Sequence, residues 1–241
     1  MTSWKPLIAV VIVLTLCSTR VEAKDNAVSI LAARIGGHIH PSICRTQKGA
    51  LVVIYKGANV LMCSRSTDDG ATWSKPQAIA TTALRPDVIR KVEKFEVYPG
   101  TADTLPDGRV LVTWNYIADD KATDGYYERA LLYILSEDDG KTWSDQQLIG
   151  PAAGTHLGAV RHNVLPWSNS QWLLPLRVGP PRVFNPKSGE LELFPLVGPD
   201  GKQHEFQQIV RTAKGTLVAM GPVLLHSSDQ AESWKQVEGF P

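Results

Sequence analysis

Side chains that can hydrogen-bond a ligand or move protons recur at one place in this chain, just ahead of short apolar runs. His38 and His40 precede the run that begins at Pro41, Tyr98 and Pro99 precede residues 101–105, and His204, Glu205 and Phe206 precede residues 207–210. When the runs are aligned on the glycines that follow them (Gly49, Gly108 and Gly215), Ile39, Tyr98 and Glu205 fall at one equivalent position. A weaker run over residues 157–176 contributes His156 and Arg161, and Arg177 and Arg182 follow it. Imidazole and phenol groups hydrogen-bond hydroxyls and move protons, and guanidinium forks bind carboxylates. Any one of these histidines reads equally well as hydrogen-bonded scaffold, but together they predict a polar pocket. The polar insertion at residues 119–129, with Tyr126, Tyr127, Asp124 and Glu128, offers rings for stacking and acids for accepting hydrogen bonds over that pocket.

Other chemistries find little support. The chain has no Gly-x-Ser-x-Gly, no His-Glu-x-x-His and no phosphate-binding glycine loop, so no coenzyme is implied. The acidic pairs Asp68/Asp69 and Asp138/Asp139 lack the longer loop and closing glutamate of a calcium site. Cys44 and Cys63 sit inside apolar runs and read as small buried hydrophobes rather than as metal ligands or a disulfide.

These residues need a scaffold, and a repeat supplies one. Ser66-Thr67-Asp68-Asp69-Gly70-Ala71-Thr72-Trp73 returns as Ser136-Glu137-Asp138-Asp139-Gly140-Lys141-Thr142-Trp143. A degraded copy, Ser227-Ser228-Asp229-Gln230-Ala231-Glu232-Ser233-Trp234, puts Ala231 where the glycine stood. Upstream of each copy lies an alternating strand, a Lys-Gly or Asp-Gly turn and a second strand, the pattern of a β-hairpin. The run over residues 157–189 is a fourth unit without the serine/aspartate motif. Apart from a faint helical pattern over residues 87–96, the chain reads as strand and turn throughout. Short strands, glycine turns and a tryptophan per motif fit radial repetition, in which each blade covers its neighbour's face. A β-sandwich is the alternative, but it leaves the recurrence of the turn unexplained.

Composition agrees with a globular extracellular protein. The 241 residues are 43% hydrophobic, and 25 Lys plus Arg face 24 Asp plus Glu for a net charge of +1. No field of either sign favours nucleic acid or an anionic membrane. Residues 1–23 read as a signal peptide: Lys5, an apolar run over residues 7–16, and Val21-Glu22-Ala23 as the cleavage site. That run is too short to cross a bilayer. Residues 24–241 then form the mature domain, secreted or periplasmic.

The repeated motif resembles the Asp box, or bacterial neuraminidase repeat, of the sialidase superfamily. The resemblance implies a sialidase-like β-propeller, with the boxes at outer turns away from the ligand and with six blades expected where four are recognisable here. The chain thus reads as an incomplete wheel. It further implies a glycan or glycoconjugate as partner and a glycosidase-type activity. Glu205, in a Glu-Phe-Gln stretch similar to the family's Glu-x-Gln segment, is the implied carboxylate partner of a nucleophile. His38, His40, Tyr98, His156, Arg161 and Arg177, read from the aligned repeats rather than from the family, are the expected binding residues. Two departures weigh against hydrolysis of sialic acid itself. His38-Ile39-His40-Pro41 stands where the family carries Arg-Ile-Pro, and Ala219 and Met220 stand where a second arginine belongs. The competing expectations are a non-catalytic binding propeller and an inactive fragment. Intact-mass analysis of exported protein is expected to show a chain starting at Lys24; a chain starting at Met1 would refute the signal peptide.

Overall fold

The computed structural model describes residues 40–57, 60–81, 95–119, 127–150, 160, 162–168, 170–176, 179–203, 206 and 208–239. The expected signal peptide at residues 1–23 lies outside them. Four antiparallel sheets of four strands follow one another along the chain. The first holds β1 (Ser42–Arg45), β2 (Leu51–Lys56), β3 (Val60–Ser66) and β4 (Gln77–Thr81). The second holds β5 (Phe95–Thr104), β6 (Val110–Asp119), β7 (Tyr127–Ser136) and β8 (Gln147–Ile149). The third holds β9 (Leu165–Ser168), β10 (Gln171–Leu174), β11 (Arg182–Phe184) and β12 (Leu191–Leu193). The fourth holds β13 (Gln208–Arg211), β14 (Leu217–Met220), β15 (Leu224–Ser227) and β16 (Lys235–Gln236). Each sheet keeps its strands in chain order, and no helix occurs among the described residues. These are propeller blades. The first strands form the hub, where β1 packs on β5 and β9 approaches β13.

The core lies between blades. Successive strand residues face opposite sides, so one strand feeds two interfaces. In β6, Val110, Val112 and Trp114 join Val52, Ile54, Leu61 and Cys63 of the first blade. Leu111 turns the other way and joins Trp172, Leu174 and Phe184 of the third. Tyr133 meets Trp172 edge to face at 5.1 Å in that layer. Leu173 and Val183 then pack with Ile209, Leu217, Leu225 and Trp234 of the fourth blade. Burial on both faces explains why middle strands such as Leu51–Lys56 read as unbroken apolar runs.

Two kinds of turn close one end of every complete repeat. In the inner hairpins, the Thr46, Leu105 and Thr212 amides bond the Ala50, Arg109 and Thr216 carbonyls at 2.7 to 2.8 Å. Gly49, Gly108 and Gly215 complete these turns at φ of 90°, 90° and 85°. The serine/aspartate motifs form the turns from third to fourth strand. Ser66 Oγ accepts the Gly70 amide at 2.9 Å and donates to Asp68 Oδ1 at 2.7 Å. Asp68 in turn accepts the Thr72 amide at 2.8 Å and its hydroxyl at 2.6 Å. The second box repeats this through Ser136, Asp138, Gly140 and Thr142, and the third through Ser227, Asp229, Ala231 and Ser233. The box aspartates are struts, with their oxygens engaged by the turn itself. In the third blade Asn185 takes this role, accepting the Lys187 amide at 3.0 Å at the corresponding turn.

Three expectations need correction or restatement. The faint helix over residues 87–96 ends in strand, since Phe95 and Glu96 belong to β5; residues 87–94 lie outside the described residues. The polar insertion at residues 119–129 is no simple loop. β6 and β7 run on as a long hairpin, with Asp119 opposite Tyr127; residues 120–126 lie outside the described residues. Cys44 and Cys63 are free, as expected of buried hydrophobes. They sit on β1 and β3 with β2 between, so two strand spacings, about 9.5 Å, separate their backbones. A disulfide needs less than about 7 Å. Burial pushes Cys44 up to about 11 and Cys63 up to about 12, which leaves both as inert thiols.

β5 carries a bulge at its centre. Pro99 pairs with Trp114 and Ala102 with Val112, so Gly100 and Thr101 together oppose Thr113. A Cβ on Gly100 would stand 2.4 Å from Thr113 Oγ1 and 2.7 Å from its carbonyl oxygen. Gly100→Ala is therefore expected to cost about 2 kcal/mol in a denaturant melt, because backbone blocks the relief. Ala231 sits at φ 74°, where its counterparts are Gly70 and Gly140. Ala231→Gly is expected to raise stability by about 0.5 to 1 kcal/mol in the same assay.

The boxes also set an acid response. Hydrogen bonds from the Thr72 hydroxyl and amide, and from Ser66, hold Asp68 down to about 2. Desolvation pushes Asp138 upward, but the bonds from Thr142, Ser136 and Lys141 outweigh it and leave it at about 2. Folded values below the unfolded value of about 3.9 mean that this stabilisation is complete above that pH. It is lost as pH falls from about 4 through about 2. Melting temperature should drop across that window, and Asp138→Asn should flatten the drop.

Candidate functional site at the hub

Each blade's first strand runs away from one end of the wheel, and the glycine turns and boxes close the other. The first residues of the inner strands therefore gather at the end opposite the boxes. A pocket of about 430 Å³ opens there, lined by His40, Ser42, Pro99, Thr101, His162 and Asn163 among others. Three successive blades contribute: β1 and its approach, β5, and the segment that leads into β9.

Of the expected site residues, the structure brings together His40 and Tyr98, with ring centroids 6.1 Å apart. Lys56, at the end of β2 and only 8% exposed, places Nζ 4.7 Å from the centre of the Tyr98 ring. The Tyr98 ring thus has both an imidazole and an ammonium close to it. His38, His156, Arg161, Arg177 and Glu205 lie outside the described residues, although Phe206, next to Glu205, is fully buried in the last inter-blade core.

Behind the pocket wall sits a carboxylate that sequence reasoning passes over. Asp103, on β5, is 6% exposed. It accepts the Thr101 hydroxyl at 2.7 Å, Asn163 Nδ2 at 2.6 Å and the Val164 amide at 3.0 Å. Burial pushes its carboxyl upward, and those three donors oppose the shift. Asp103 thus ties blade two to the approach of blade three. Ser42 Oγ ties blade one in, accepting the Ala102 amide at 3.0 Å. Lys56, Asp103, His162 and Asn163 all escape the sequence reading. The signals that could have found them are a charged residue closing an apolar strand, an acid inside an inner strand, and two polar residues beside Arg161.

The opposite end holds a second cavity, of about 340 Å³, lined by Lys48, Asp107, Arg109, Glu137 and Asp139 among others. Its charges are largely paired within it: Arg109 with Asp107 at 2.7 Å and Lys48 with Asp139 at 3.3 Å. Among the described residues no three His, Cys, Asp or Glu side chains group to hold a metal ion.

A family model described as a BNR repeat-like domain matches residues 16–153, more than half of the chain. Solved structures share the fold. An α-L-arabinanase from Penicillium chrysogenum, bound to arabinobiose, is 18% identical at a TM-score of 0.57, covering 84% of this chain and 65% of its own. A protein of unknown function from Dyadobacter fermentans is 17% identical at 0.55, covering 84% of this chain and 69% of its own. The NanB sialidase from Streptococcus pneumoniae is 10% identical at 0.55, covering 87% of this chain and 53% of its own. The chain thus spans about half the length of that sialidase and about two thirds of the arabinanase. No curated protein matches the chain.

Proposed function

The chain belongs to the BNR repeat-like domain family, and from that premise we propose that it is a secreted, glycan-active protein that takes its ligand in the hub pocket. One observation carries this reading. The starts of three inner strands converge on a single pocket furnished with His40, His162, Ser42 and Asn163, at the end opposite the structural boxes. Sugar recognition needs that mixture of neutral donors and acceptors beside ring surfaces. The structures that share the fold suggest the chemistry, since they include a sialidase and an α-L-arabinanase. Glu205, three residues ahead of β13 in the sequence, is the proposed carboxylate for a hydrolytic reaction. A general acid or base of that kind contributes about 10² to 10⁴ in rate.

A second reading, binding without turnover, is favoured by a specific feature. Among the described lining residues no carboxylate faces the pocket, because both oxygens of Asp103 are engaged in the wall. The two readings separate cleanly. On a panel of fluorogenic glycosides the full chain is expected to turn over at least one substrate, with Glu205→Gln reduced at least about 100-fold. Equal, background turnover in both would sink the hydrolase reading. Calorimetric binding of a sugar without turnover would then establish the second.

A further inference from the structure

The hub pocket has a polarity, and Asp103 sets it. An amide side chain can present either its oxygen or its NH₂ to a ligand, and the choice is made by whatever holds the other end. Asn163 Nδ2 donates to Asp103 Oδ1 at 2.6 Å, while Asp103 Oδ2 is taken by Thr101 and the Val164 amide. A carboxylate can only accept, so Asn163 cannot turn its oxygen inward. That oxygen is left on the exposed side, in the pocket. Across from it, Ser42 Oγ is used as an acceptor by the Ala102 amide, which leaves the serine proton for a ligand. The pocket thus offers an acceptor and a donor, with the anionic Asp103 one hydrogen bond behind the acceptor. A hydroxyl group, which both donates and accepts, satisfies the pair. A ligand carboxylate meets an oxygen at Asn163 and a negative charge behind it.

We propose that Asp103 is a positioning residue that turns Asn163 Oδ1 into the hub pocket and thereby fits the pocket to a neutral, hydroxyl-bearing sugar over an acidic one. This rests on the glycan reading above and gives it a substrate class. The acid is isosteric with its amide, which makes the claim separable from stability. In Asp103→Asn the remaining oxygen still accepts from Thr101 and Val164, but the new NH₂ faces Asn163. Asn163 must flip, and the pocket then presents NH₂. Adding Asn163→Asp restores an acceptor there. One oxygen of the carboxylate so introduced accepts from the amide now at position 103, and the other faces the ligand.

The test is calorimetric binding of arabinobiose, as the neutral probe, and 3'-sialyllactose, as the acidic one, to the full chain. The wild type is expected to prefer arabinobiose. Asp103→Asn is expected to weaken arabinobiose about tenfold, the effect of losing one hydrogen bond, and to shift the ratio toward 3'-sialyllactose. The double variant Asp103→Asn/Asn163→Asp is expected to recover a preference for arabinobiose at least as large as the wild type's, because its carboxylate faces the ligand directly. A folded Asp103→Asn with an unchanged ratio, or a wild type that prefers the acidic probe, would overturn the proposal. If Asp103→Asn fails to fold, the double variant alone decides, because it keeps every hydrogen bond: loss of the neutral preference there counts against the claim. If the wild type binds neither probe, the glycan reading is what fails. Asp103 is then judged by NMR exchange of the Asn163 side-chain amide, slow in the wild type and fast in Asp103→Asn; equal rates would refute the positioning role.

Discussion

A blade in this protein is apolar on both faces, so it has no stable existence away from its neighbours. Val112 and Leu111, adjacent in one strand, serve two different inter-blade layers. That constraint decides the rest of the architecture. Strands must stay short and stack as wedges, and the polar backbone groups at each strand end must find partners in their own turn or in the next blade. The boxes answer that need. Each one wraps its serine and aspartate around several backbone and hydroxyl groups at a rim corner. The corners also lock blades together: Arg65 Nε, on β3, donates to the carbonyl of Asp139 in the next blade's box at 2.7 Å.

Closing one end of the wheel with rigid turns leaves the other end free for function. At the hub, polar groups are fixed by hydrogen bonds that cross from one blade to the next. Ser42, Thr101 and Asp103 are strand residues, and the bonds of Ser42 and Asp103 reach neighbouring blades. Pocket-lining groups such as Asn163 inherit that rigidity from behind. Enzymes use the same logic when groups that never touch substrate determine what the contacting atoms can offer.

Most of this scaffold is legible in residue order, because repetition tests itself: a turn glycine or a box tryptophan in one unit predicts its counterpart in the next. The third blade is the hardest to see, since Asn185 accepts the turn amide there without the serine, glycine, threonine and tryptophan that mark the first two boxes. β5 reads too short because Pro99-Gly100 looks like punctuation, whereas the chain uses the pair as a bulge within a ten-residue strand. The hub is less legible for a different reason. Its members come from three blades and bond partners 60 residues away in sequence. A polar residue at a strand's start also looks the same whether it faces solvent or a ligand. Asp103 is hidden most completely, since a lone acid in an apolar strand announces a partner without naming it.

The bulge at Gly100 has a consequence for heredity as well as for shape. Val97 and Ala102 both face the first inter-blade core although five residues, an odd number, separate them; the extra residue resets the parity of the strand. Loss of that single codon triplet would leave every partner of β5 on β6 unchanged, because the two bulge residues count as one against Thr113, and Tyr98 would stay opposite Asn115. A frame-preserving deletion at the bulge would therefore straighten the strand that borders the pocket without exchanging its inside and outside.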